Sequence, residues 1–124
     1  MLLEMISKPD SQIRLWFDGD QLVGCCQLEF GVDSAYFGLF AVRPRLQGGG
    51  VGSRVLTDAE EQAATHGRAR MRMTVIAQRD DLIAWYERRG YERTGDTSPF
   101  PYGDARYGDP RRADLEFAEL VKKL

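Results

Sequence analysis

Gln47-Gly48-Gly49-Gly50-Val51-Gly52-Ser53-Arg54 separates an apolar strand from an amphipathic helix, and the other elements can be placed on either side of it. Glycines let several backbone N–H groups converge on one point because no Cβ atom stands in the way. The first turn of the helix adds N–H groups without intrahelical partners and a partial positive charge. This glycine segment therefore predicts a site for a phosphate or a diphosphate.

Two common phosphate loops do not fit the glycine segment. A Walker loop requires a lysine after its last glycine, and none follows here. The dinucleotide pattern requires a glycine at position 53, where Ser53 stands, and the strand before the segment follows a hairpin instead of opening a βαβ unit. Taken alone, the segment leaves a nucleotide- or phosphate-binding protein open.

The chain upstream of the glycine segment predicts three strands. Residues 13–17 and 21–30 are strand-like runs around Asp18-Gly19-Asp20, which is typical of a β-hairpin. Residues 35–42 are apolar on both faces, which predicts a central strand covered on both sides. Residues 1–7 are apolar and run into a proline, which predicts the last turns of a helix.

The chain downstream alternates between helical and strand patterns. Apolar residues at helical spacing predict a helix up to His66, namely Val51, Val55, Leu56, Ala59 and Ala63. Apolar and polar residues alternate over 71–75, which predicts a strand. A second helix is predicted over 80–89, ending before Gly90. Two further strands are predicted over 91–97 and 115–121. Residues 98–112 predict a long loop. The expected order is (α)-β-β-β-α-β-α-β-β, a mixed central sheet in a single α/β (α+β) domain over 1–124.

Two motifs together resemble the GNAT superfamily of N-acetyltransferases. One is Gln47-x-x-Gly50-x-Gly52, and the other is Leu82-Ile83-Ala84-Trp85-Tyr86-Glu87-Arg88-Arg89-Gly90-Tyr91. The resemblance runs from about residue 21 to the C-terminus, and it is to a bacterial branch of unassigned substrate. It implies the acyl-CoA N-acyltransferase fold, here without the usual first strand and most of the first helices, so that the domain looks N-terminally incomplete.

The resemblance also implies an activity and a set of site residues. Acetyl-CoA would be the cosubstrate, without a metal, and the acetyl group would pass directly to an amine of an unidentified acceptor. Tyr86 would protonate the departing thiolate, and Arg79, which stands where the family often has asparagine, could pair with a phosphate. The implied cofactor-binding residues are Phe40, Ala41, Val42, Gln47, Gly48, Gly49, Gly50, Val51, Gly52, Ser53 and Arg79.

No general base stands out in the sequence. The strand over 35–42 contains no carboxylate, which leaves three acidic residues elsewhere as alternatives: Glu29, Glu116 and Glu119. The single histidine, His66, lies at a helix end and is expected on the surface. Alternating arginines at positions 68, 70 and 72 predict either a solvated strand start or a contact for an acidic partner or the CoA 3′-phosphate.

Composition narrows the class of protein. With 17 basic and 19 acidic residues the formal net charge is −2, which argues against a nucleic-acid partner. No apolar stretch approaches the roughly 18 residues that cross a membrane. Adjacent Cys25 and Cys26 would face opposite sides of a strand, so we expect reduced thiols in a cytoplasmic protein. A homodimer is left open, as is a non-catalytic module that binds CoA or a partner.

Overall fold

The structure is a computed structural model that describes residues 2–8, 10–43, 50–99 and 115–124. Its elements in chain order are β1 (Leu2–Lys8), β2 (Ser11–Asp18), β3 (Gln21–Phe30), β4 (Ser34–Val42), α1 (Val51–Thr65), β5 (Arg70–Ile76), α2 (Asp80–Glu87), β6 (Glu92–Pro99) and β7 (Glu116–Lys123). The chain divides into two compact units. Unit 1 holds residues 1–72 and 123–124, and unit 2 holds residues 73–122.

Unit 1 is built on a mixed sheet in the order β1-β2-β3-β4-β5. The first four strands are antiparallel neighbours, whereas β4 and the start of β5 run parallel, with Tyr36 opposite Arg72. Asp18 pairs with Gln21 across a tight turn in which Gly19 has a φ of 61°, a value that glycine adopts without steric cost. The predicted hairpin and the predicted mixed sheet are confirmed.

The first element differs from the prediction. Residues 2–8 form β1, whose backbone is in antiparallel register with β2 from Leu2 opposite Phe17 to Lys8 opposite Ser11. The prediction of a helix end here is wrong, and so is the expectation that no strand precedes the hairpin. An apolar run of 7 residues is too short to separate a helical period from an extended one. The backbone hydrogen bonds that β2 offers along its edge decide the outcome.

Helix α1 packs its apolar face on β3 and β4. Its buried residues are the five that helical spacing predicts: Val51, Val55, Leu56, Ala59 and Ala63. The buried apolar side chains of the two strands are Val23, Cys26, Leu28, Ala35 and Phe37. A Cβ atom on Gly24 would lie 3.3 Å from Val55, so the helix and the strand approach closely at this glycine. Burial raises the pKa of the Cys26 thiol to about 12, which keeps it protonated.

Strand β4 is covered on one face only, contrary to the prediction. Ala35 and Phe37 are buried, whereas Tyr36 is 40% exposed and Leu39 is 71% exposed. The alternation breaks at Leu39, which has a φ of 48°, and the register with β3 shifts at the same place. An extra residue in β4 therefore forms a β-bulge, and this bulge leaves Leu39 outside the core.

Polar side chains are buried between β2 and α1. Arg14 donates hydrogen bonds to both carboxylate oxygens of Asp58, one of them over 3.0 Å, and to Gln12 Oε1 over 3.2 Å. The side-chain nitrogen of Gln12 lies 3.4 Å from Nε2 of His66. Because Arg14 and Gln12 are each only 5% exposed, these contacts tie α1 to β2 from inside the unit.

Unit 2 contains the end of β5, helix α2, and β7 and β6, with the strand order β5-β7-β6. The backbone N–H of Ala77 donates to the Glu116 carbonyl over 2.8 Å, and β6 and β7 are antiparallel. Helix α2 is two residues shorter than predicted and gives way to a turn at Gly90, which has a φ of 98°. The predicted loop is wrong for positions 98 and 99, which belong to β6, and its other residues lie outside the described part of the chain.

Candidate functional site

The N-terminal end of α1 carries the described part of the glycine segment. Gly50 precedes the helix with a φ of 87°, and Val51, Gly52 and Ser53 form the first turn. The first helical hydrogen bond runs from Arg54 N–H to the Gly50 carbonyl over 3.1 Å, so the N–H groups of Val51 and Gly52 precede the hydrogen-bond ladder of the helix. Among the described residues no side chain caps this end, and the first turn has no acidic residue. These are the properties that an anion site at a helix start requires.

Three cofactor-binding residues of the sequence prediction, Gln47, Gly48 and Gly49, lie outside the described residues. The other residues predicted in the glycine segment, from Gly50 to Ser53, lie together at the helix start.

The flank of α1 next to this end carries charged side chains of both signs. A cavity of about 340 Å³ lies along the helix and is lined by Trp16, Ser53, Arg54, Thr57, Asp58 and Glu61. Arg54 offsets one of the two carboxylates in this lining, and Asp58 accepts hydrogen bonds from Arg14. The cavity therefore has no strong charge of either sign, and the first turn of α1 is the part of the helix that favours an anion.

The end of β4 presents backbone groups away from β3. The N–H of Arg43 donates to the Val23 carbonyl over 3.0 Å, so the preceding residue, Val42, directs its N–H and C=O to the opposite side of the strand. Phe40 is half-buried with its ring 5.1 Å from that of Phe37, and Ala41 is exposed. Phe40, Ala41 and Val42 thus lie at the end of the strand that leads toward the start of α1.

Tyr86 is a buried residue of unit 2. It is 3% exposed and lies edge-on to Trp85, with ring centroids 5.0 Å apart, and to Tyr91, with centroids 5.8 Å apart. Burial raises the pKa of Tyr86, so its hydroxyl keeps its proton at neutral pH. Within the described ranges, the structure records no side-chain hydrogen bond for Tyr86. The Tyr86 hydroxyl is therefore a protonated hydrogen-bond donor, and no described side chain accepts its hydrogen bond.

Arg79 precedes α2 and is paired with an acidic neighbour. Its guanidinium donates two hydrogen bonds to the carboxylate of Asp81, over 3.0 and 3.1 Å. The hydrogen bond to Asp81 is the main cause that raises the pKa of Arg79, and it likewise lowers the pKa of Asp81. Any phosphate that binds Arg79 must compete with this carboxylate.

The residues considered as general base lie in different places. Glu29 is exposed on β3 of unit 1, while Glu116 and Glu119 lie on β7 of unit 2. His66 is held structurally: Nδ1 lies 2.8 Å from the Gln62 carbonyl and the ring stacks on Phe30 at 4.5 Å. Of the three acidic residues, Glu29 alone shares unit 1 with the β4 bulge.

Two of the alternating arginines have structural partners. Arg68 donates to the Gly31 carbonyl over 2.8 Å and lies over the Phe30 ring, and Arg70 pairs with Asp33 at 3.3 Å. These contacts support the solvated strand start for Arg68 and Arg70.

Two features of the site were not anticipated from the sequence: the bulge at Leu39 and the buried pair of Arg14 and Asp58. The glycine at position 38, inside a strand pattern, is a signal that could have indicated the bulge. No local signal marks the ion pair, because its partners are 44 residues apart.

The described residues offer neither a membrane span nor a metal centre. Neither helix in this part of the chain has the length and apolar character needed to span a membrane. The same residues contain no group of His, Cys, Asp and Glu side chains that could hold a metal ion.

Comparison with known proteins identifies the family. Residues 2–91 match the acetyltransferase (GNAT) family, and the chain belongs to it. An IAA acetyltransferase of Azospirillum brasilense is 27% identical over 104 residues, which cover 82% of this chain. The chain spans 66% of that relative's length, just under two thirds.

Solved structures show the same fold. A GNAT family acetyltransferase from Elizabethkingia anophelis, with acetyl-CoA bound, superimposes with a TM-score of 0.80 at 18% identity, covering 93% of this chain and 77% of the other. An IAA acetyltransferase from Bacillus cereus superimposes with a TM-score of 0.79 at 17% identity, covering 99% of both chains. The acyl-CoA N-acyltransferase fold that the two sequence motifs imply is therefore confirmed.

Proposed function

We propose that this protein is an N-acetyltransferase that moves an acetyl group from acetyl-CoA directly to an amine. The observation that carries the proposal is the start of α1, which follows β4 and has Gly50 in a left-handed conformation. No described side chain caps this helix end, and its first turn holds no acidic residue. Membership of the GNAT family supports it, as does the acetyl-CoA bound to the Elizabethkingia anophelis relative.

The cofactor contacts follow from this assignment. The diphosphate of acetyl-CoA would accept hydrogen bonds from the amides of Gly48 to Ser53, with Gln47 at the start of the segment. The pantetheine would bond to the backbone of Phe40, Ala41 and Val42 as an added strand does. Arg79 would bind a phosphate only by giving up its two hydrogen bonds to the Asp81 carboxylate.

The chemistry requires a polarised carbonyl and a protonated leaving group. A backbone N–H of the segment 40–42 would donate to the thioester oxygen, where negative charge develops. Tyr86 would donate to the departing sulfur. A free tyrosine has a pKa of about 10 and a thiol about 8.5, so burial of Tyr86 makes it a still weaker acid than the thiol. We therefore propose that the Tyr86 hydroxyl donates a hydrogen bond to the sulfur, which strengthens as negative charge develops there. The proton itself passes from Tyr86 to sulfur only after most of the C–S bond has broken.

Composition supports two further parts of the proposal. The free thiols of Cys25 and Cys26 fit a reducing, cytoplasmic location. A net charge of −2 fits small or protein amines better than nucleic acid as partners.

An assay with an amine panel tests the proposed reaction. With acetyl-CoA and a panel of a small alkylamine, an amino acid and a peptide with a free N-terminus, we expect release of free CoA that depends on one class of amine. The measurement is the appearance of the CoA thiol, with mass spectrometry of the acetylated product. A folded protein that binds acetyl-CoA but acetylates no amine would instead be the non-catalytic CoA-binding module.

A further inference from the structure

The cavity beside α1 borders the proposed diphosphate site. Its lining includes Ser53, which belongs to the first turn of the helix, and Arg54, which follows Ser53 directly. The other lining residues on α1 lie one and two turns further along, namely Thr57, Asp58 and Glu61. A group that is joined to a diphosphate at the first turn therefore has this cavity next to it.

One wall of the cavity is aromatic. Trp16 on β2 is half-buried, and its indole N–H is buried without a hydrogen-bond acceptor among the described residues. Because solvent does not reach this N–H, Trp16 offers the cavity the surface of its ring and not its polar edge. A flat aromatic ring is a surface on which a nucleobase stacks, whatever the identity of the base.

The end of the cavity nearest the first turn carries a positive charge. The side chain of Arg54 is exposed, and the described part of the chain gives it neither a hydrogen bond nor an ion pair. A guanidinium binds phosphate oxygens through several N–H groups held in one plane, so Arg54 is suited to a phosphate that approaches from the first turn.

The acidic side chains of the lining leave this charge in place. Asp58 accepts hydrogen bonds from Arg14, so its own charge is balanced. Glu61 is seven residues after Arg54, which is about 10 Å along the helix axis. The cavity thus has a cationic end next to the diphosphate site and an acidic end, where a carboxylate can accept a hydrogen bond from an amino group.

The nucleotide part of coenzyme A has the groups that these features bind. A 3′-phosphate lies on the ribose next to the diphosphate, and the adenine beyond it has a flat ring and an amino group. Ligand pockets range over about 300–1,000 Å³, so a cavity of about 340 Å³ fits one part of the cofactor and not the whole. The pantetheine leaves the proposed diphosphate site along β4, which leaves the nucleotide for this cavity.

We propose that this cavity is the subsite for the 3′-phosphoadenosine part of acetyl-CoA, an inference that rests on the proposed function. Arg54 binds the 3′-phosphate, and the Trp16 ring packs against the adenine. Glu61 accepts a hydrogen bond from the adenine amino group. The subsite lets the protein distinguish CoA thioesters from thioesters that lack the 3′-phosphate.

The test is calorimetric titration with acetyl-CoA and with 3′-dephospho-acetyl-CoA, which differ only in the phosphate assigned to Arg54. Wild type should bind acetyl-CoA about tenfold more tightly than the analogue, the lower end for a hydrogen bond between charged groups. Arg54→Gln should lose this difference, because its affinity for acetyl-CoA falls while its affinity for the analogue stays unchanged. Since Arg54 is exposed, the substitution should leave the fold intact.

The matched control is Arg70→Gln, which removes an exposed arginine of unit 1 outside the cavity and should keep the tenfold difference. Two variants of Trp16 test the stacking. Trp16→Leu should weaken the binding of both ligands by the same factor, at least about fivefold, whereas Trp16→Phe keeps a ring and should lose less.

Wild type that binds both ligands equally, or Arg54→Gln that still prefers acetyl-CoA, overturns this inference and leaves the proposed function in place. Loss of the difference in Arg70→Gln also overturns it, because the 3′-phosphate would then bind elsewhere. Unchanged affinities in a folded Trp16→Leu protein overturn the adenine contact. Folded wild type that binds neither ligand overturns the proposed function as well.

Discussion

The Tyr86→Phe variant is expected to transfer acetyl groups about a hundredfold more slowly than wild type, the lower end for loss of a general acid. The lower end applies because burial raises the pKa of Tyr86 and so makes it a reluctant acid. The unfolding free energy should be preserved, since the structure records no side-chain hydrogen bond for Tyr86 among the described residues. The measurement is steady-state kcat from release of free CoA, together with a urea denaturation curve.

Tyr91→Phe is the matched control for this prediction. It removes the same hydroxyl from a neighbouring buried ring, 5.8 Å away between centroids, and it should retain wild-type turnover. If Tyr86→Phe turns over as fast as Tyr91→Phe, Tyr86 has no part in protonating the thiolate.

Asp58→Ala is expected to cost about 3–5 kcal/mol of unfolding free energy, the usual result of removing one partner of a buried ion pair. The side chain of Arg14 is 6% exposed, and its guanidinium would lose both of its hydrogen bonds to the carboxylate. Because domains of this size are stable by about 5–15 kcal/mol, this loss is a large part of the unfolding free energy. Urea denaturation monitored by circular dichroism measures the loss.

Two comparison variants make the stability prediction specific. Asp33→Ala breaks an exposed pair with Arg70, whose side chain is 54% exposed, and should cost less than about 1 kcal/mol. Replacing both Arg14 and Asp58 with apolar residues of similar volume should recover much of the loss, because no buried charge is then left unpaired. An Asp58→Ala protein as stable as Asp33→Ala would contradict a structural role for the buried pair.

The buried face of α1, the hairpin and strand β5 could be predicted from the sequence because their signals are local and repeated. Five apolar residues at helical spacing define the buried face of α1 without any knowledge of its partners. The hairpin follows from the turn at Gly19, and the strand β5 from the alternation of buried Met71, Met73 and Val75. The two motifs around Gly50 and Tyr86 indicate the family because each is a short contiguous stretch of the chain.

The errors arise where the outcome depends on partners distant in the chain. Residues 2–8 become a strand because β2 supplies a ladder of backbone partners, which no local pattern of 7 residues encodes. Leu39 on β4 is exposed because the bulge interrupts the alternation of the strand at this residue.

The central claim is that the N-terminal end of α1 binds the diphosphate of acetyl-CoA. Calorimetric titration of acetyl-CoA into wild type, Ser53→Asn and Ser53→Asp tests this claim most directly. Wild type and Ser53→Asn should bind one acetyl-CoA each. The aspartate of Ser53→Asp has nearly the same shape as the asparagine of Ser53→Asn, but it places a carboxylate in the first turn. This negative charge stabilises the helix by about 0.3–1 kcal/mol and repels the diphosphate. Its affinity should fall at least about tenfold, or 1.4 kcal/mol, in a protein no less stable. Folded wild type that takes up no acetyl-CoA, or Ser53→Asp that binds as tightly as Ser53→Asn, would contradict the assignment.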